Sequence, residues 1–226
     1  MEKFGLLFDM DGLMLDTERM ARVAWIRALA EQGFQLDDIS YLRMVGRTVQ
    51  DARLILGEIF GPDLPFQRVF DQRQAYYDAD IDENGIVIKP GLLELLGFLE
   101  ANDIPKAVAS STPGWFATRK LARAGIDQRF IAIVCGDMVA HGKPAPDLFL
   151  EAARRIALPP ERCVVLEDSE AGIVAAHTAG MIPVMIPDLK QPVPEIRALA
   201  YQVLSSLHEA IPLVEDFLRN GLPQTG

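Results

Sequence analysis

Cysteine is scarce, with Cys135 and Cys163 the only two in 226 residues, each inside an apolar stretch that reads as a buried strand. Two such residues make no disulfide framework, and both are expected to be reduced core side chains. Basic residues are outnumbered: 22 Lys and Arg stand against 32 Asp and Glu, for a net charge of −10. That balance argues against nucleic acid or an anionic membrane as the main partner, although a divalent cation would invert the field locally and admit a phosphorylated ligand. No run of about 18 apolar residues is present, so no segment reads as a bilayer span. Met1-Glu2-Lys3-Phe4 has no basic n-region followed by a cleavable apolar stretch, which leaves the cytoplasm as the expected location. Nothing in the sequence calls for more than a monomer.

Half of the chain is apolar, enough for a substantial core in one large domain or two modest ones. The first apolar run, Phe4 to Phe8, leads directly into Asp9-Met10-Asp11-Gly12. A continuous apolar run of this kind suits a buried parallel strand, and ligands of open α/β sheets bind where such strands end. A carboxylate held there can attack phosphorus, with the acid two positions on as its proton partner. Taken alone, the pair reads equally well as a turn or a cap.

From Thr17 the period becomes helical, with a broad apolar face expected through Ala21, Val23, Ala24, Trp25, Ala28 and Leu29 up to Gln32-Gly33. Further helices are expected from Thr48 to Phe60 and from Leu64 to about Ala79, with no convincing strand before Val87. Lys89-Pro90-Gly91 then opens an alternating series: helix 92–101, strand 106–110, helix 114–124, strand 131–134, helix 147–156, strand 163–166, helix 171–179 and strand 182–186. Alternation predicts a parallel, Rossmann-like sheet with right-handed crossovers, which strand one must join to bury its own side chains. The expected division is a catalytic core, residues 1–15 and 89–226, with an α-helical domain inserted at 16–88. The tail reads as a helix, a short strand near Val203 and an amphipathic helix ending at Asn220-Gly221.

Three more strand ends carry polar residues. Ser110-Ser111-Thr112, before a helix opened by Pro113-Gly114, offers hydroxyls and amides to a phosphate, or an ordinary helix cap. Lys143 is fixed between Gly142 and a proline-stiffened turn, so it loses little entropy on reaching an anion, or it is an ordinary solvated surface lysine; Asp147 reads as the cap of the following helix. Glu167-Asp168-Ser169 offers hard oxygen ligands of the kind Mg²⁺ prefers, or another helix start. Four independent caps at four strand ends with complementary chemistry are a poor explanation of the pattern.

These four segments, in this order and spacing, resemble the motifs of the haloacid dehalogenase-like hydrolases. The helical insert resembles the small cap of the subgroup that includes β-phosphoglucomutase and many sugar-phosphate phosphatases. The resemblance covers essentially the whole chain. It implies Asp9 as nucleophile and Asp11 as acid and then base. It also implies Mg²⁺ held by Asp9, the Asp11 carbonyl and Asp168 with Glu167 nearby, Lys143 as charge balance, and Ser110 with the Ser111 amide on the phosphoryl oxygens. Thr17 and Arg47 fall where cap residues meet substrate. Relatives that displace halide lack an acid at the place of Asp11, and those that cleave phosphonates use a cap lysine, whereas this chain has no lysine between Lys3 and Lys89. The implied activity is Mg²⁺-dependent hydrolysis of a small phosphomonoester, a sugar or polyol phosphate. The alternative is a phosphosugar mutase, whose cap histidine has no counterpart near Ala21 and whose cap lysine would have to be replaced by Arg68 or Arg73. The other alternative is a non-catalytic phospholigand-binding protein. His141, His177 and His208 are given no role, and Trp25 and Trp115 are expected to serve packing.

Overall fold

The computed structural model describes residues 3–45 and 49–223. The chain separates into two compact units, one ending at Leu15 and resuming at Val87, the other Asp16–Ile86. The first is built on a parallel sheet of six strands: β1 (Gly5–Phe8), β2 (Lys106–Ser110), β3 (Ala132–Cys135), β4 (Cys163–Glu167), β5 (Ile182–Met185) and β6 (Gln202–Val203), in the order β3-β2-β1-β4-β5-β6. Every residue of β1, β2, β4 and β5 is buried, which is why their sequences run apolar instead of alternating.

The order has a functional consequence. The chain steps outward from β1 through β2 to β3, then returns to lay β4 on the other side of β1. Such a reversal opens a crevice beyond the carboxyl ends of the two central strands, the place where open α/β sheets take ligands. Register sets what meets there: Phe8 pairs with Leu166 on one side and Val108 on the other, and the Asp9 amide donates to the Leu166 carbonyl at 3.0 Å. Asp9 and Glu167 therefore leave the sheet side by side. A core of Leu7, Ala107, Ala109, Val134, Phe149, Val165 and Ala175, all inaccessible to solvent, lies against this part of the sheet.

The other unit contains α1 (Thr17–Ala30), α2 (Asp38–Leu42), α3 (Val49–Phe60) and α4 (Phe66–Asn84). The short α2 was not expected; five residues give too little periodicity, and its determinant is Asp37, whose side chain accepts from the Ser40 amide. The third helix was expected to begin at Thr48, which lies outside the described residues. The fourth extends past Ala79 to Asn84, because Tyr77 and Ile81 continue its buried face, and stops at Gly85 with φ 77°. Trp25 does pack, with its ring 6.2 Å from those of Phe66 and Phe70. Arg73 is drawn into the same packing, its guanidinium 4.8 Å from the Tyr77 ring and 5.6 Å from Trp25.

In the sheet unit the crossover helices are α5 (Leu92–Ala101), α6 (Gly114–Arg123), α7 (Asp147–Arg155) and α8 (Glu170–Thr178), followed by α9 (Pro194–Arg197) and α10 (Ala210–Asn220). The third strand is shifted by one residue from its expected 131–134, and Ile131 stays outside it, exposed. Asp147 is the first residue of α7, not its cap; Pro146 takes the cap position, and the Asp147 carboxylate instead meets the exposed His141 ring at 3.1 Å. Trp115 departs from the packing expectation as well. It is 68% exposed, with its ring stacked on Phe116. No helix among the described residues is long and apolar enough to cross a membrane.

Candidate active site

The loop after β1 is shaped by its own backbone. The amides of Met14 and Leu15 both donate to the Met10 carbonyl, and the Gly12 amide donates to Leu15. Gly12 sits at φ 86°, a conformation that suits glycine, and a Cβ there would strike the Asp168 carboxylate. The glycine thus closes the turn and lets the first and fourth strand ends approach.

Asp9 is buried and receives a hydrogen bond from the Lys143 ammonium at 2.5 Å on Oδ1. The same ammonium donates to Glu167 Oε2 at 2.7 Å. The Lys143 side chain is 5% exposed and that of Glu167 1%, and the lysine head also lies 4.8 Å from the Phe149 ring centre. Glu167 is fixed from its other oxygen, where Oε1 accepts from the amide and hydroxyl of Ser169 at 3.1 and 2.6 Å. Ser169 in turn caps α8 by accepting from the Gly172 amide. Glycine is needed at 172, since a Cβ would collide with the Glu167 carboxylate.

Electrostatics bind these groups together. Burial, and then the charge of Glu167, push the Asp9 carboxyl up to about 8 against the pull of Lys143. Burial alone would lower Lys143, but the carboxylates of Asp9 and Glu167 outweigh it and hold the lysine above its ordinary value. Oxygens of Asp9, Glu167 and Asp168 lie within 4.8 Å of one another. Three acidic side chains are crowded together here, two of them sharing the Lys143 ammonium, and the donors are hard oxygens. This set fits a divalent cation of the Mg²⁺ type.

Asp11 lies close enough for its charge to raise the Asp9 carboxyl further, but its oxygens take other partners. Its Oδ1 accepts from the Lys120 ammonium at 2.6 Å and its Oδ2 from the Thr112 hydroxyl at 2.7 Å, so its carboxylate faces those two partners. The Thr112 hydroxyl, grouped by sequence with the phosphate-binding donors, is committed to Asp11. Ser110 is buried at the end of β2, its Oγ accepting from the Thr112 amide at 3.1 Å, and Ser111 is exposed beside it. Thr17 is the buried first residue of α1 and belongs to the other unit; Arg47 lies outside the described residues. Lys120 was missed. Its signal is a lysine on the buried face of α6, in line with Gly114, Ala117 and Leu121.

A buried acid at the switch point, a lysine bridging it to a second acid, and a third carboxylate nearby define a phosphoryl-transfer type of centre on a doubly wound α/β sheet. A family model described as haloacid dehalogenase-like hydrolase matches residues 5–180, and the chain belongs to that family. It is 36% identical to the "Probable pseudouridine-5'-phosphatase" of Drosophila melanogaster over 229 residues, covering 96% of this chain and 93% of the relative. It is 35% identical to a fructose-1-phosphate phosphatase of Escherichia coli over 78% of this chain and 93% of the relative. Among solved structures it resembles CbbY from Rhodobacter sphaeroides in complex with phosphate, with a TM-score of 0.74 and 28% identity over 92% of this chain and 96% of the other.

Proposed function

We propose that this chain is a phosphoric monoester hydrolase that transfers the phosphoryl group of a small sugar or polyol phosphate first to Asp9 and then to water. The observation that carries the reading is the buried Asp9–Lys143–Glu167 constellation beside Asp168. Mg²⁺ would be held by Asp9, Asp168 and the Asp11 carbonyl, with Glu167 at its edge. When bound, it would offset the repulsion between an anionic nucleophile and an anionic phosphate. The remaining work falls to side chains. Lys143 holds Asp9 in place and balances the charge of the transferring group, while Ser110 and the Ser111 amide receive its equatorial oxygens. Asp11 gives a proton to the departing alkoxide and then takes one from the water that opens the aspartyl-phosphate. Residues 16–88 serve as a substrate-selecting cap, with Thr17 and Arg47 as its substrate-binding residues, as the family resemblance implies. The unbridged Cys135 and Cys163 agree with work in a reducing compartment, the cytoplasm.

The test is phosphate release from a panel of sugar, polyol and nucleotide monophosphates in Mg²⁺, run beside Asp9→Asn. Turnover of a few sugar phosphates that vanishes in the variant is the expected result. An Asp9→Asn protein with undiminished turnover would sink the proposal.

A further inference from the structure

Lys120 is a buried charge that the roles above leave unexplained. Its side chain is 5% exposed, although it projects from the face of α6 that otherwise buries Ala117 and Leu121. Burying an ammonium is costly unless it is paired, and here its partner is Asp11, at 2.6 Å. The Phe116 ring, 4.6 Å from the same ammonium, adds a second favourable surface. From the opposite side the Thr112 hydroxyl donates to the other oxygen of Asp11 at 2.7 Å. Both oxygens of one carboxylate are therefore held, by donors from α6 and from the turn before it.

We infer that Lys120, together with Thr112, is a positioning pair for Asp11, fixing the rotamer from which this acid exchanges protons in both halves of the reaction. The inference rests on the phosphatase reading above. A free aspartate side chain samples several rotamers, and a misplacement of about 1 Å in a reacting group can lower a rate by about 10²-fold. A carboxylate has about four lone-pair sites, so two such bonds orient it without using up its capacity to exchange a proton. In the first half-reaction the P–O bond to the alkoxide breaks as an Asp9 oxygen bonds to phosphorus, and the Asp11 proton goes to the alkoxide. In the second, water oxygen bonds to phosphorus, its proton passes to Asp11, and the bond between Asp9 and phosphorus breaks. Neither Lys120 nor Thr112 touches the reacting atoms in this scheme.

The two halves can be separated by leaving group. p-Nitrophenolate departs without a proton, so loss of Asp11 alignment spares its departure and slows only the later attack by water. The test compares wild type, Lys120→Met, Thr112→Val and the conservative Lys120→Arg on fructose 1-phosphate and on p-nitrophenyl phosphate by stopped flow. For Lys120→Met we expect kcat on fructose 1-phosphate to fall about 30-fold or more, with KM within about threefold of wild type. On p-nitrophenyl phosphate the first turnover should stay within about fivefold of wild type, giving a burst of one p-nitrophenolate per enzyme before a slowed steady state. Thr112→Val should show the same pattern more weakly, and Lys120→Arg should recover part of the lost rate. First-turnover and steady-state rates that fall together on both substrates in variants that fold would show a structural role and overturn the inference, as would unchanged rates on both. If Lys120→Met does not fold, Thr112→Val and Lys120→Arg decide by the same burst. A wild type that releases phosphate from neither substrate would overturn the phosphatase reading itself.

Discussion

Lys143 and Glu167 meet at 2.7 Å inside the protein, and the same lysine head reaches Asp9 at 2.5 Å. One buried cation therefore serves two carboxylates. Removing one member of a buried ion pair leaves an uncompensated charge and costs about 3–5 kcal/mol. Lys143→Met is accordingly expected to lose about 3 kcal/mol of stability in urea unfolding at neutral pH with a chelator present, and less with Mg²⁺ added. Its turnover should fall by at least about 10²-fold, as expected for loss of a charge that stabilises the transferring group. A variant as stable as wild type in the chelator would show that the pair does not hold the site together.

Gly172 gives a test from the opposite direction, adding atoms instead of removing them. A Cβ at this helical position would run into the Glu167 carboxylate, which cannot retreat because Lys143 and Ser169 hold it. Gly→Ala inside a helix ordinarily stabilises it slightly. Here Gly172→Ala should destabilise by about 1–3 kcal/mol, the usual range for overpacking, and weaken Mg²⁺ binding. Urea unfolding and a Mg²⁺ titration measure both. A gain in stability would mean that Glu167 moves aside freely.

Both variants depend on features the chain announces unevenly. Apolar runs ending in acids, a serine or a hydroxyl cluster are visible because a parallel sheet buries both faces of its strands, so a polar residue at the boundary stands out. Asp9, Ser110, Glu167 and Asp168 could be picked out for that reason. Lys120 gave only its spacing with Ala117 and Leu121, a weak signal, since helix surfaces carry lysines routinely and the packing is needed to show that this one points inward. The Thr112 hydroxyl was visible, but its partner was not, because Asp11 is 101 residues away. Trp115 misled for a related reason: a helical aromatic is packed only if the fold supplies a face for it, and at 115 the ring stands exposed.

The pH dependence of stability has a probe far from the centre. Glu100 accepts from Nε and Nη2 of Arg129, at 2.9 and 2.7 Å, with the Lys106 ammonium at 3.2 Å. The Arg129 hydrogen bonds, and then those of Lys106, pull its carboxyl from 4.5 down to about 2. A folded value below the unfolded one contributes stability above pH 4.5 that is lost as pH falls toward 2. The side chain is 44% exposed, so solvent screening limits the effect to about 0.5–1 kcal/mol. Glu100→Gln should lie below wild type by that amount at pH 7, and the gap should shrink as urea unfolding is repeated at pH 4 and pH 3. A gap that widens on acidification would contradict the assignment.

Divalent metal should act on the folded state itself, ahead of any catalysis. Asp9, Glu167 and Asp168 are close together, and one ammonium, Lys143, pairs with the first two, so acidic groups are crowded in the metal-free centre. Burial, and then the charge of Glu167, push the Asp9 carboxyl up to about 8. A group whose folded value exceeds its ordinary 3.8 costs stability as pH rises toward and through the folded value. The metal-free protein should therefore lose stability between about pH 5 and pH 8, and Mg²⁺ should restore it. A ligand that binds only the native state at 100 times its Kd contributes about 2.7 kcal/mol. Differential scanning fluorimetry at pH 5.5 and pH 8 should show a larger rise in Tm on adding Mg²⁺ at the higher pH. The rise should be reduced in Asp168→Asn, which removes one donor charge while leaving the buried Asp9–Lys143–Glu167 contacts in place. Equal shifts at both pH values, or a full shift in Asp168→Asn, would place the Mg²⁺ responsible for stabilisation away from these three carboxylates.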